Sequence, residues 1–257
     1  MNGETDLLTR IVLYTRTFQR DHVMVKFAMS PYERSITFNF ADGTKAGSSE
    51  DWLARISGKI SRIIYHPSPN LNNPEHIGFS NAERQFIVTI YNDDTISYWF
   101  SRWEFNRLFK KWVITFTERV WENPPVEMSG FRNNIEDFKN VLYDIGILAK
   151  DLGFPDYARV FDRAYRLLTG EMTITDVRGR VKTGFDYSLL SGDAERMYWA
   201  ADIADVFGGM GSWNDSPSCV ADDTGRGEEF KNLSFELYVQ SRNAIAYAVN
   251  HDDSKIH

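Results

Sequence analysis

The texture of the hydrophobic pattern changes at Asn123-Pro124-Pro125, and that change limits the fold more than any other feature of the sequence. Before it, runs with apolar residues at every second position are interleaved with runs at helical spacing; beyond it the spacing is helical throughout. A period of two places alternate side chains on one face of a strand, whereas spacings of three and four line one face of a helix. The chain therefore reads as α+β. Residues 1–128 form an N-terminal mixed antiparallel β/α domain, and residues 129–257 form an acidic, all-helical C-terminal domain.

In the front half, Leu7, Leu8, Ile11, Val12, Thr15 and Phe18 have helical spacing, so 6–20 predicts an opening helix, with a strand through 11–18 as the rival. Val23, Val25 and Phe27 alternate with polar residues, as do Ile36, Phe38 and Phe40, and two strands are expected. Asp42-Gly43 supplies a turn after the second. Ser48-Ser49-Glu50-Asp51 resembles a helix start, with Trp52, Ile56, Ile60 and Ile63 continuing at helical spacing. Pro67, Pro69, Asn70–Asn73 and Pro74 predict a loop. Phe86, Val88 and Ile90 then face Ile96, Tyr98 and Phe100 across Asn92-Asp93-Asp94, the pattern of a hairpin. Ser101 and Glu104 have capping-box spacing, and Phe105, Leu108, Phe109, Trp112, Phe116 and Val120 predict a helix over 101–121, although Val113-Ile114-Thr115 disfavours its later turns. The crowded Trp99, Trp103, Trp112 and Trp121 read either as core or as an exposed aromatic contact surface.

The back half is simpler. Ile135, Phe138, Val141, Leu142, Ile145, Leu148 and Leu152 form one stripe that ends at Gly153, and Pro155 opens a second helix that ends at Gly170. Further helices are expected over 192–207 and 228–250, while 172–190 is ambiguous.

Composition excludes several classes. With 42% apolar and 25% charged residues the chain is an ordinary globular mixture, and no apolar run approaches the roughly 18 residues a membrane span requires. Met1–Arg10 lacks the basic-then-apolar order of a secretory leader, and the single Cys219 permits no internal disulfide. A cytoplasmic location without a membrane partner is expected, with Cys219 as a small, partly buried side chain. Residues 1–130 carry 15 basic and 15 acidic side chains and residues 131–257 carry 14 and 21, so the entire net charge of −7 belongs to the second half. Asp202, Asp205, Asp215, Asp222, Asp223, Glu228 and Glu229 concentrate that excess against Arg226 alone. Such a field repels phosphate backbones and attracts basic proteins, so no nucleic-acid partner is expected.

Gly208-Gly209-Met210-Gly211-Ser212-Trp213-Asn214-Asp215 follows a helix instead of joining a strand to one, and no Lys follows its glycines. It reads as a helix-ending turn plugged by Trp213, or alternatively as a ligand loop, and not as a phosphate cradle. Asp202 and Asp205, three apart on one helix, could converge with Asp215 and Asp222 on a hard cation, or Asp202 and Asp215 could share acid–base work. Carboxylates at that spacing more often form a solvated helix face. The scattered His22, His66, His76, His251 and His257 form no ligand pair, and no nucleophile elbow is present, so no metal, cofactor or catalytic residue is expected.

Met197–Asp215, ending in Gly-Gly-Met-Gly-Ser-Trp-Asn-Asp, resembles an uncharacterised bacterial helical domain family with a Gly-Gly-Met-Gly-Ser-aromatic-Asn-Asp signature. The resemblance spans 133–250 and is specific at 207–215; Ser216–Gly227 departs from it as a polar insertion. The family occurs around contact-dependent and polymorphic toxin loci, where small acidic cytosolic proteins act as immunity factors. The resemblance implies the class of function, a protein that binds and neutralises a cognate antibacterial toxin domain; the acidic patch itself suggests a basic partner and places Asp202, Asp205, Trp213, Asn214, Asp215, Asp222 and Asp223 at the contact. The alternative is a small-molecule enzyme using Asp202 and Asp215, with or without a divalent metal; an adaptor docking through Trp99–Trp121 is a third.

Overall fold

A computed structural model describes residues 1–67, 85–124, 131–178, 187–208 and 210–251. Helix α1 (Gly3–Asp21) begins at Asn2, whose side chain accepts the Thr5 amide at 2.8 Å, and ends at His22 in the left-handed conformation. The helical reading of the opening segment holds and its strand rival does not.

Six strands follow: β1 (Glu33–Asn39), β2 (Lys45–Ala46), β3 (Ile60–His66), β4 (Phe86–Tyr91), β5 (Ile96–Asn106) and β6 (Lys111–Val120), with α2 (Ser49–Ile56) between β2 and β3. They form one sheet in the order β2-β1-β6-β5-β4-β3, in which β1 and β6 run parallel and all other neighbours antiparallel. The hairpin register is the expected one, with Phe86 opposite Phe100, Val88 opposite Tyr98 and Ile90 opposite Ile96. Gly43 takes a φ of 84° in the turn before β2.

The helix expected over 101–121 is instead the far part of β5 and all of β6. The same residues fit both periods, because Phe105 and Trp112 are cross-strand partners while Leu108 and Phe109 occupy the turn between them. The β-branched Val113-Ile114-Thr115 decided the outcome, since such side chains suit a pleated surface better than a helix. Ser101 caps nothing; its hydroxyl donates to Glu4 at 2.6 Å. Val23 to Phe27 form no strand either. Val23 and Val25 are exposed, and Val25 offers its carbonyl to the Tyr14 hydroxyl at 2.7 Å instead of to a neighbouring strand. Ile60 and Ile63 belong to β3, so the helix begun at Ser48 stops at Ile56. Of the crowded tryptophans, Trp99 is fully buried, whereas Trp112 is partly exposed.

Helices α1 and α2 line one face of the sheet. Trp52 of α2 stacks on Phe38 at 4.7 Å, Phe38 stacks on Phe116 at 5.1 Å, and Trp99 meets Trp52 edge-on at 5.6 Å. Each such pair contributes about 1 kcal/mol beyond simple burial.

The second half consists of α3 (Ile135–Asp151), α4 (Pro155–Thr169), α5 (Ile174–Arg178), α6 (Gly192–Ala204), α7 (Ser216–Asp223) and α8 (Gly227–Asn250). Gly170 ends α4 with a φ of 81°, as its position foretold. Two differences from expectation occur. Helix α6 ends at Ala204, before Phe207, and the polar insertion 216–227 contains α7, which Pro217 initiates. The chain is thus α+β, with a mixed six-stranded sheet in its N-terminal half and α3–α8 in its C-terminal half. The expected boundary at 128/129, the loop at Pro69–Pro74 and part of the ambiguous 172–190 stretch lie outside the described residues.

The halves are joined by specific bonds as well as by buried apolar surface. Asn250, at the end of α8, accepts the Tyr65 amide at 2.8 Å and donates to the Tyr65 carbonyl at 2.7 Å, acting as a one-residue strand on outer β3. Arg16 of α1 donates to the carbonyls of Val249 and His251, placing a cation at the negative end of α8.

Candidate partner-binding surface

The segment after α6 is held by its own short-range bonds. Gly211 has a φ of 80°, its amide donates to Asp215 Oδ2 at 2.8 Å, and its carbonyl accepts the Tyr157 hydroxyl at 2.8 Å. Trp213 is wholly buried. It stacks on Phe230 of α8 at 5.0 Å, meets Tyr157 and Phe161 of α4 edge-on at 5.2 Å each, and donates Nε1–H to Ser234 at 2.8 Å. The glycine, the tryptophan and Asp215 therefore have structural employment as a turn and its plug. Gly209 lies outside the described residues, and Met210 beside it is 98% exposed.

The acidic residues divide into two groups. Asp202 and Asp205 turn toward the start of the chain: the Met1 amino group lies 2.8 Å from Asp202 and 3.7 Å from Asp205, and the Asn2 amide donates to Asp205 at 2.7 Å. Arg242 of α8, itself buried, lies 3.7 Å from the other Asp205 oxygen. Facing carboxylates raise the Met1 amine's pKa despite the burial that opposes it. Asp205 is almost completely covered and Trp213 completely so, which removes both from any contact surface. Asp202 and Asp215 each serve a different bond and do not form a pair. Asp215, Asp222 and Asp223 are exposed, Asn214 is partly so, and Cys219 is exposed instead of partly buried as expected. Among the described residues, no three His, Cys, Asp or Glu side chains gather as metal ligands.

A second acidic feature had no separate mark in the sequence. On α3, Asp144, Ile147 and Asp151 follow one another at helical spacing along the outer face, and on α8 Glu229, Asn232, Leu233 and Glu236 do the same. Between them lies a shallow, open hollow of about 580 Å³ lined by Asp144, Ile147, Glu229, Asn232 and Leu233. Ile147 and the adjacent Tyr143 are exposed, and Leu233 is partly buried, so the hollow has an apolar floor under a carboxylate rim. Arg226 closes one end, reaching Asp151 at 3.0 Å and Glu229 at 2.7 and 2.8 Å. These bonds hold the Glu229 carboxyl below its ordinary pKa. Glu228, Asp222 and Asp223 are exposed nearby in sequence, where α7 packs on α8. In contrast, a hollow beside α4 mixes Arg159, Arg163 and Arg166 with Asp162 and Asp176 and has no single sign.

No protein-family model, curated protein or solved structure matches this chain.

Proposed function

We propose that this chain is an immunity-type protein that binds and neutralises a basic, cognate antibacterial toxin domain through the acidic face of its helical half. The observation that carries the reading is the hollow between α3 and α8, where exposed Ile147 and partly buried Leu233 lie under Asp144 and Glu229. An apolar floor rewards an inserted side chain, and a rim in which carboxylates outnumber the single Arg226 selects and steers a basic partner. Exposed Asp215, Asp222 and Asp223 extend the same field, and the Gly-Gly-Met-Gly-Ser-Trp-Asn-Asp resemblance points to the same class of function.

The test is capture by the purified chain from native lysate supplemented with products of neighbouring open reading frames. One basic domain should be retained at equal stoichiometry and identified by mass spectrometry. Asp144→Lys with Glu229→Lys should slow its association by about 10- to 1,000-fold, the range in which charge steering acts. Retention of the same domain by the reversed-charge variant at an unchanged rate would rule out this surface.

A further inference from the structure

The β5–β6 hairpin ends in a tip whose chemistry opposes that of the chain as a whole. Its turn is Arg107-Leu108-Phe109-Lys110; Asn106 Oδ1 accepts the Leu108 and Phe109 amides at 3.1 and 3.2 Å, and Lys110 has a φ of 50°. The turn therefore has a defined shape. Leu108 at its apex is 83% exposed, and Phe105, Phe109 and Trp112 are between a third and a half exposed. Because Phe105 is opposite Trp112 and Trp103 is opposite Ile114, these rings share the hairpin face that carries Ile114 into the core. Trp112 meets Phe105 at 5.1 Å and Trp103 at 6.0 Å. Tyr32, 74% exposed, adjoins them, its carbonyl accepting the Trp112 amide at 2.8 Å.

Cations surround this apolar crest. Arg102–Trp112 contains Arg102, Arg107, Lys110 and Lys111 against Glu104, a net of +3 within a chain of −7. Arg34 of β1 adds another, lying 3.2 Å over the Phe109 ring. A single-stranded nucleic acid would reward the rings and the cations, but it offers nothing to an aliphatic apex, and the rings here pack edge-on against each other. An anionic bilayer rewards all three at once: aliphatic carbon below the headgroups, aromatic rings at their level, and Lys or Arg against their charge.

We propose that the β5–β6 tip docks peripherally on an anionic lipid bilayer, inserting Leu108 and Phe109 and setting Arg34, Arg107, Lys110 and Lys111 against the headgroups. Such contact is distinct from spanning, and no helix among the described residues is long and apolar enough to cross a membrane. It also uses different residues from the acidic hollow, so either reading can fail without the other.

The experiment is flotation of the full chain with vesicles of phosphatidylcholine alone and of phosphatidylcholine mixed with phosphatidylserine. Binding is expected to the mixed vesicles only and to weaken with salt. Lys110→Gln with Lys111→Gln should lower the partition coefficient about 25-fold, from about fivefold per basic residue. Leu108→Ser should lower it as well while leaving the thermal midpoint unchanged, because that side chain touches little else. Equal behaviour with both vesicle types, or an unaffected Leu108→Ser, overturns the proposal. Binding of a single-stranded oligonucleotide without vesicle binding overturns it too, and assigns the tip to nucleic acid.

Discussion

Replacing Trp213 tests whether the glycine-rich segment is a structural plug. The indole is fully buried among Tyr157, Phe161 and Phe230 and donates to Ser234 at 2.8 Å. Truncating a buried Trp to Ala costs about 3–5 kcal/mol through lost transfer energy and the cavity left behind. Loss of the bond to Ser234 adds about 1 kcal/mol. Trp213→Ala should therefore lose at least about 4 kcal/mol, a drop of more than about 1 M in urea midpoint at an m-value near 3 kcal/mol/M. Trp213→Phe keeps a ring against Phe230 and removes only the donor and part of the volume, so it should lose about 1–2 kcal/mol. Equilibrium urea unfolding followed by far-ultraviolet circular dichroism measures all three chains. An unshifted midpoint for Trp213→Ala would falsify the plug and return the segment to the ligand-loop reading.

Three further expectations concern the framework. Asn250→Ala removes both bonds to Tyr65 and should cost about 2–3 kcal/mol, read as a lower urea midpoint and as faster amide exchange at Tyr65. Arg10 is buried and donates to Glu33, to Asp6 at 2.9 Å and to the Ala28 carbonyl at 2.8 Å, so Glu33→Ala should cost about 3 kcal/mol; Arg10→Met with Glu33→Leu should recover most of it. His66 stacks on Phe86 at 4.6 Å, and burial lowers its pKa below the ordinary 6.5, outweighing the bond from Nδ1–H to the Pro67 carbonyl. The unfolded chain then binds the proton more readily, so this contribution is complete above pH 6.5 and is lost as pH falls through the lowered value. In thermal melts across that window, His66→Phe should show a shallower loss than the parent; equal slopes would show that His66 does not carry it.

The sequence was most legible where one period had no competitor. The β4–β5 register followed from strict alternation between polar ends, and α3 and α4 from apolar stripes closed by Gly153 and Gly170. It misled where aromatic residues satisfied two periods at once, as at Phe105, Leu108, Phe109 and Trp112. A hairpin and a helix bring these residues together equally well, and only Val113-Ile114-Thr115 separated the two. For the candidate surface, the acidity of 202–229 was plain, but its division into inward and outward carboxylates was not. That division depends on Met1, Asn2 and Arg242, more than thirty residues away from Asp205 in sequence. The α3–α8 hollow left one readable trace. Tyr143 and Ile147 are apolar residues outside the stripe formed by Val141, Leu142, Ile145 and Leu148, and the core does not account for them.

Growth protection decides whether the acidic hollow neutralises a toxic partner. Cells producing the captured basic domain would be supplied with the parent chain, with Asp144→Lys/Glu229→Lys, or with Lys110→Gln/Lys111→Gln as a control at a distant basic surface. Protection is expected from the parent and the control and none from the hollow variant, with all three equally folded by thermal melting. Equal protection by the hollow variant would contradict that role.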